Sequence, residues 1–142
     1  MKKQKIIIAD NNKTFREGFK RILLNIGHVE IVNEVENGAE LLKILENGNV
    51  DIVFTDINMP EINGVEATKL AHQKYPGLRI IAFTSLENKR YISQMVAAGA
   101  NGYLSKGRDN YDIFRQILEE TNSGFYISPE LVTISEKKLV VN

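Results

Sequence analysis

A chain of 142 residues, 43% hydrophobic and 25% charged, can bury one core without covalent staples, so a single globular domain is the default reading. Eighteen basic residues balance eighteen acidic ones, so no overall field draws the chain to nucleic acid or an anionic membrane, and any charge-based function must be local. The lack of cysteine excludes disulfides, thiolate zinc sites and cysteine nucleophiles, and His28 and His72 stand apart, which argues against zinc altogether.

The basic start MKKQK leads into an apolar run that stops at Asp10, far short of a signal-peptide core or a membrane span. A soluble cytoplasmic protein with no membrane partner is expected. KIIIA (5–9) reads as a strand, and FREGFKRILLNI as a helix whose Phe15, Phe19, Ile22, Leu23 and Ile26 form one buried stripe. VEIVNEV (29–35) alternates through Val29, Ile31, Asn33 and Val35, as an edge strand with one wet face would, and AELLKILEN (39–47) follows as a helix. DIVFTD (51–56) and a helix carrying Ala67, Leu70, Ala71 and Tyr75 make the third unit. RIIAFTS (79–85) precedes a helix through Ile92, Met95, Val96 and Gly99, and NGYLS (101–105) precedes one with Ile113, Phe114, Ile117 and Leu118. Met95 and the apolar stripes of the helices are assigned to the core, and Pro60 and Gly64 to the backbone turn after the third strand. Five β/α units in a row predict an α/β fold, a flavodoxin-like (βα)5 doubly wound parallel sheet with strand order 2-1-3-4-5.

Such a sheet places its ligand site outside the carboxyl ends of its strands. There the sequence has Asp10 and Asn11, then Thr55 and Asp56, then Thr84 and Ser85, then Ser105 and Lys106. Two carboxylates suit a hard divalent cation such as Mg²⁺, and a lysine, a hydroxyl and backbone amides suit a phosphoryl group. Taken singly, each of these residues reads equally well as a solvated strand end. Four in matching positions on successive strands do not.

These residues carry a resemblance. Asp10 after the first strand, DINMPEINGVE (56–66), FTS (83–85) and GYLSK (102–106) together resemble the response-regulator receiver domain of two-component signalling systems, over residues 5–122. NNKTFREGFKRIL and GFYISPEL resemble its NarL/FixJ (LuxR-type) branch. The resemblance implies that Asp56 takes a phosphoryl group from a sensor histidine kinase as an acyl phosphate. It implies that Lys106 pairs with the phosphate, that Thr84 swings its hydroxyl toward it, and that Tyr103 is the aromatic switch. Asp10, Asp56 and the main-chain carbonyl of Asn58 would hold Mg²⁺. The bland reading of Tyr103 is a half-buried aromatic with its polar tip at the surface.

Asn11 departs from the pattern, since receivers usually have a second acid there. An amide oxygen can ligate Mg²⁺ but brings no charge, so weakened metal affinity is expected. The retained Asp10, Asp56, Thr84 and Lys106 favour a competent receiver over an inactive one. A phosphorylation-independent interaction module and a flavodoxin-like electron carrier are the alternatives, the latter disfavoured because DNNKT has one hydroxyl for a phosphate loop.

The receiver is expected to span residues 1–122. Residues 123–142, with Gly124 as a stop signal and Pro129 as the start of a short helix, resemble the linker to an absent helix-turn-helix output domain, too short to be that domain themselves. A truncated receiver is the reading, with DNA reached only through that output domain. By resemblance, a homodimer would form through the fourth helix, fifth strand and fifth helix, involving Lys89, Arg90, Tyr91 and Asp112.

Overall fold

Apolar strands with hydrophobic side chains on both faces must be covered on both faces, and the helices do this. The computed structural model describes residues 3–84, 91–106, 111–119 and 126–127. The strands are β1 (Gln4–Ala9), β2 (Val29–Val35), β3 (Ile52–Asp56), β4 (Arg79–Thr84), β5 (Gly102–Ser105) and β6 (Tyr126–Ile127). The helices are α1 (Lys13–Ile26), α2 (Gly38–Leu45), α3 (Gly64–Lys74), α4 (Ile92–Ala98) and α5 (Tyr111–Glu119). The sheet runs β2-β1-β3-β4-β5-β6, and every pairing is parallel. The predicted five-strand order is present, with a sixth strand added beyond β5.

Alternation along the strands sorts the core. Ile6, Ile8, Ile52, Phe54, Ile81, Phe83 and Leu104 meet Phe19 and Leu23 of α1 and Phe114, Ile117 and Leu118 of α5. On the other face, Ile7, Ala9, Val53 and Ile80 meet Leu41 and Leu45 of α2 and Ala67 and Ala71 of α3. A third group, Ile57, Ala82, Ile92, Met95, Ala100 and Tyr103, lies under α4.

Two expectations need correction. The single alternating face of β2 is broken, because the register jumps from Ile6↔Ile31 to Ile7↔Asn33 and leaves Val32 as an extra residue. A one-residue slip turns later side chains to the opposite face, so Val29 and Ile31 pack with α1 whereas Val32 and Val35 pack with α2. Ile22, Leu70 and Val96 belong to the stripes expected to be buried, yet they are 39%, 37% and 45% exposed. Each lies at the margin of a stripe wider than the strip of helix that contacts the sheet. Beyond these, Tyr126 N–H donates to the Asn101 carbonyl at 2.9 Å, so residues 126–127 of the C-terminal extension lie along the outer edge of β5. That segment has too few residues to show strand periodicity. Gly124 and Pro129 lie outside the described residues.

Local chemistry sets the loops at the carboxyl ends of the strands. Asn12, Asn37 and Asn63 each precede a helix and accept a hydrogen bond from the backbone N–H three residues on, at 3.0, 2.8 and 2.9 Å. The second amide of DNN is therefore a helix cap. Gly64 opens α3 against the β3 turn, where a Cβ would lie 2.2 Å from the Asp56 carbonyl oxygen.

Candidate functional site

Because β1, β3, β4 and β5 are neighbours and parallel, the residues that end them share one rim. Asp10, just past β1, is 1% exposed, and Asp56, the last residue of β3, is 7% exposed. Both face Lys106, whose Nζ lies 2.6 Å from Asp10 Oδ2 and 3.4 Å from Asp56 Oδ2. The lysine is held along its length: its backbone N–H donates to the Thr84 carbonyl at 2.7 Å, and its ammonium sits 4.4 Å from the centre of the Phe15 ring.

The other carboxylate oxygens are committed to the main chain. Asp10 Oδ1 accepts from Asn12 N–H and Asp56 Oδ1 from Ile57 N–H, each at 2.8 Å. Burial raises the pKa of Asp56 above its ordinary value; the Lys106 charge opposes that rise and the Asp10 charge adds to it. Two desolvated acids sharing one ammonium form a strongly polarised pocket, poised for an incoming group that carries its own charge.

Thr84 is fully buried, and its side chain is hydrogen-bonded to the hydroxyl of Tyr103. Tyr103 itself is 0% exposed, and burial pushes its phenol up to about 12. The half-buried reading of this ring is corrected: Ala82, Ile92 and Met95 cover it, because β5 lies beneath α4. Asn11 and Asn58 are exposed at the rim.

The donor set fits a hard cation with a reduced charge complement. Asp10 and Asp56 could supply two oxygen ligands, their Oδ2 atoms both turned to Lys106 Nζ, whereas no group of three or more acidic, histidine or cysteine side chains that could hold a metal ion occurs among the described residues. With Asn11 in place of an acid, the remaining positions would be filled by neutral oxygens. A crevice of about 470 Å³ lies at the opposite ends of the strands, lined by Asp51, Tyr75 and Arg79 among others, away from this chemistry.

Sequence reasoning missed Arg16. It is 8% exposed, and its guanidinium donates through Nη1 to the Asp10 carbonyl, through Nε to Glu34 at 3.3 Å and through Nη2 to Glu36 at 3.5 Å. Lys20 also reaches Glu34, at 2.7 Å, and this hydrogen bond is the main reason the Glu34 pKa is lowered. A signal existed: Arg16 is in helical phase with Phe19 and Leu23, a charge on the buried face.

Residues 6–118 match the family model of the response regulator receiver domain. The chain belongs to that family of two-component signalling proteins, and its relatives place it with the LuxR/NarL type. It is 34% identical to the transcriptional regulatory protein DegU of Brevibacillus brevis, over 99% of this chain and 60% of that protein. It is 30% identical to the response regulator GacA of Pseudomonas syringae pv. syringae (strain B728a), over 89% of this chain and 59% of that one. The chain thus spans about 60% of the length of such curated relatives. Among solved structures, a LuxR-family two-component response regulator from Aurantimonas sp. SI85-9A1 superposes with a TM-score of 0.86 at 25% identity, covering 96% of this chain and 99% of that one. The isolated receiver of RcsB from Salmonella enterica serovar Typhimurium, solved with the phosphomimetic BeF3-, gives 0.82 at 21% identity, covering 93% and 98%, which bears on the fold alone. Family membership sets the electron carrier aside, and the comparisons lend no support to a phosphorylation-independent module. Receiver domains generally bind Mg²⁺ at the phosphorylation site. Among the described residues, no helix is long and apolar enough to cross a membrane.

Proposed function

We propose that Asp56 Oδ2 attacks the phosphorus of a phosphohistidine on a sensor kinase. The new O–P bond forms as the P–N bond breaks, and the departing imidazole nitrogen keeps the electron pair, leaving an aspartyl phosphate on this chain. The observation that carries this reading is the single ammonium of Lys106, which faces both Asp56 and Asp10 at the carboxyl ends of adjacent strands. Charge that develops on the transferring oxygens then meets the Lys106 ammonium in a largely dry site.

Mg²⁺, when held by Asp10, Asp56 and the Asn58 carbonyl, supplies further positive charge to those oxygens, with Asn11 adding only a neutral ligand. Lys106 moves from Asp10 to the phosphoryl group. Thr84 turns its hydroxyl from Tyr103 to the same group, and Tyr103 shifts against α4, changing the packing between α4 and β5.

The altered surface is that of α4, β5 and α5. Its described polar residues include Tyr91 and the exposed Asp112, and Val96 offers apolar area beside them, whereas Lys89 and Arg90 lie outside the described residues. With β6 along the edge of β5, a homodimer on this face would use the exposed sides of the two helices. Residues 1–122 act as the receiver and 123–142 as the connection to a DNA-binding helix-turn-helix domain in the parent protein. This chain has no net charge with which to hold DNA itself.

Intact mass after incubation with acetyl phosphate tests the proposal, with and without Mg²⁺, in the wild type and Asp56→Asn. A phosphoryl-sized gain that requires both Mg²⁺ and Asp56 is expected. No gain from acetyl phosphate or from a phosphorylated kinase would refute it.

A further inference from the structure

We infer that Arg16 is a positioning residue for Asp10, acting through the main chain to fix where the site presents its cation-binding carboxylate. The inference rests on the reading of Asp10 and Asp56 as the divalent-cation pair.

The β1 strand ends at Ala9, and past it the chain must turn from the sheet into α1 while keeping Asp10 inside. Asp10 N–H still donates to the Val35 carbonyl at 2.9 Å, but the Asp10 carbonyl has left the ladder. A buried carbonyl without a partner is costly, and Arg16 Nη1 satisfies it. The same segment closes on itself: Asn12 N–H donates to Asp10 Oδ1, Asn12 Oδ1 accepts from Phe15 N–H, and Arg16 N–H donates to the Asn12 carbonyl at 3.0 Å. Both ends of Asp10, its carbonyl and its carboxylate, are therefore gripped by the first turn of α1.

The guanidinium is itself anchored. Its remaining contacts go to Glu34 on β2 and Glu36 just beyond it, so Arg16 bridges the Asp10 corner to the edge of the sheet. Three acceptors reached by three different nitrogens suit the planar fork of arginine, whereas the ammonium of lysine gathers its three donors on one atom. Arg16 touches neither Asp10 Oδ1 nor Oδ2; it decides their direction rather than their charge. In a site that lacks a second acid beside Asp10, the aim of this one carboxylate carries more of the metal affinity than it would in a three-acid site.

Titration calorimetry of the full chain with Mg²⁺ alone, in the wild type, Arg16→Gln, Arg16→Lys and Glu36→Gln, reads this directly. Arg16→Gln should weaken Mg²⁺ binding about tenfold, the lower range for loss of a group that orients a ligand. Arg16→Lys and Glu36→Gln should fall between it and the wild type. In acetyl phosphate labelling, the apparent Mg²⁺ constant should rise while the rate at saturating Mg²⁺ stays within about twofold, since the reacting groups are untouched. A fall in thermal stability with an unchanged Mg²⁺ constant would show Arg16 to be structural only and would overturn the inference. If Arg16→Gln does not fold, Arg16→Lys and Glu36→Gln decide it, and wild-type affinity in both overturns it. A wild type that binds no Mg²⁺ overturns it as well. Failure of Asp56 to label, with the calorimetric differences intact, would count against the phosphoryl-transfer reading and not against Arg16.

Discussion

Lys106 Nζ lies closer to Asp10 Oδ2, at 2.6 Å, than to Asp56 Oδ2, at 3.4 Å. Its charge thus lies nearer Asp10 than Asp56, the proposed phosphoryl acceptor. Replacing it with alanine leaves two buried carboxylates facing each other without a counter-ion. Lys106→Ala should slow acetyl phosphate labelling of Asp56 by roughly 10²-fold or more, the usual loss of one fixed transition-state cation or donor. Mass spectrometry over a time course at saturating Mg²⁺ gives the rate, and a change of less than about threefold would remove Lys106 from the transition state, where one such group is worth several kcal/mol.

The buried carboxyl of Asp56 makes stability depend on pH in a stated direction. Its folded pKa is raised above 3.8, so the folded state holds the proton more tightly than the unfolded state does. The stability contributed by the protonated form is complete below 3.8 and is lost as pH rises through the folded value. Asp56→Asn, which carries no charge, should therefore melt above the wild type at neutral pH, and the gap should close as pH falls toward 3.8. Parallel thermal melts across that range check it. A gap that widens on acidification would contradict the sign.

Gly64 packs its Cα against the Asp56 main chain, and an added Cβ would also come within 2.8 Å of Ile57 Cα. Those are backbone atoms, which cannot swing aside as a long side chain would. Gly64→Ala should cost about 1–3 kcal/mol, as overpacking does, and should reduce labelling because the β3 turn that carries Asp56 must shift. Urea unfolding gives the first quantity and mass labelling the second.

Tyr103 is one of five tyrosines, and its phenol is pushed up to about 12 by burial. It should resist ionisation when the ordinary phenols titrate. Since its folded value exceeds the ordinary 10.0, its contribution to stability is whole below 10.0 and is lost as pH rises toward about 12. Tyr103→Phe should cost about 1 kcal/mol near neutrality, the worth of the hydrogen bond with Thr84, and should flatten the alkaline fall in stability. Phenolate absorbance against pH, wild type beside variant, shows which tyrosine titrates last.

How much could be read in advance follows from what each signal depends on. The five β/α units were legible because alternation between short apolar runs and helical stripes is a property of the chain, and strand order was expected from the doubly wound flavodoxin-like pattern that such units form. Asp10, Asp56, Thr84 and Lys106 were legible for the same reason, since a residue that ends a strand is placed once the strand is placed. Exposure of Ile22, Leu70 and Val96 was not, because a helix's own periodicity does not say how wide a strip its neighbours will cover. The bulge at Val32 was hidden too: the residues of β2 alternate in the sequence whichever face each one meets.

The sequence by itself determined the units, their order and the charges on the rim. Tertiary structure alone decided that Lys106 leans toward Asp10, that Tyr103 is sealed beneath α4, that β6 closes the edge of β5 and that Arg16 grips the Asp10 carbonyl. The physical reason is the same in each case. Hydrophobic periodicity is local and survives in one dimension, whereas a contact between side chains of different elements is set only when packing brings those elements to one place.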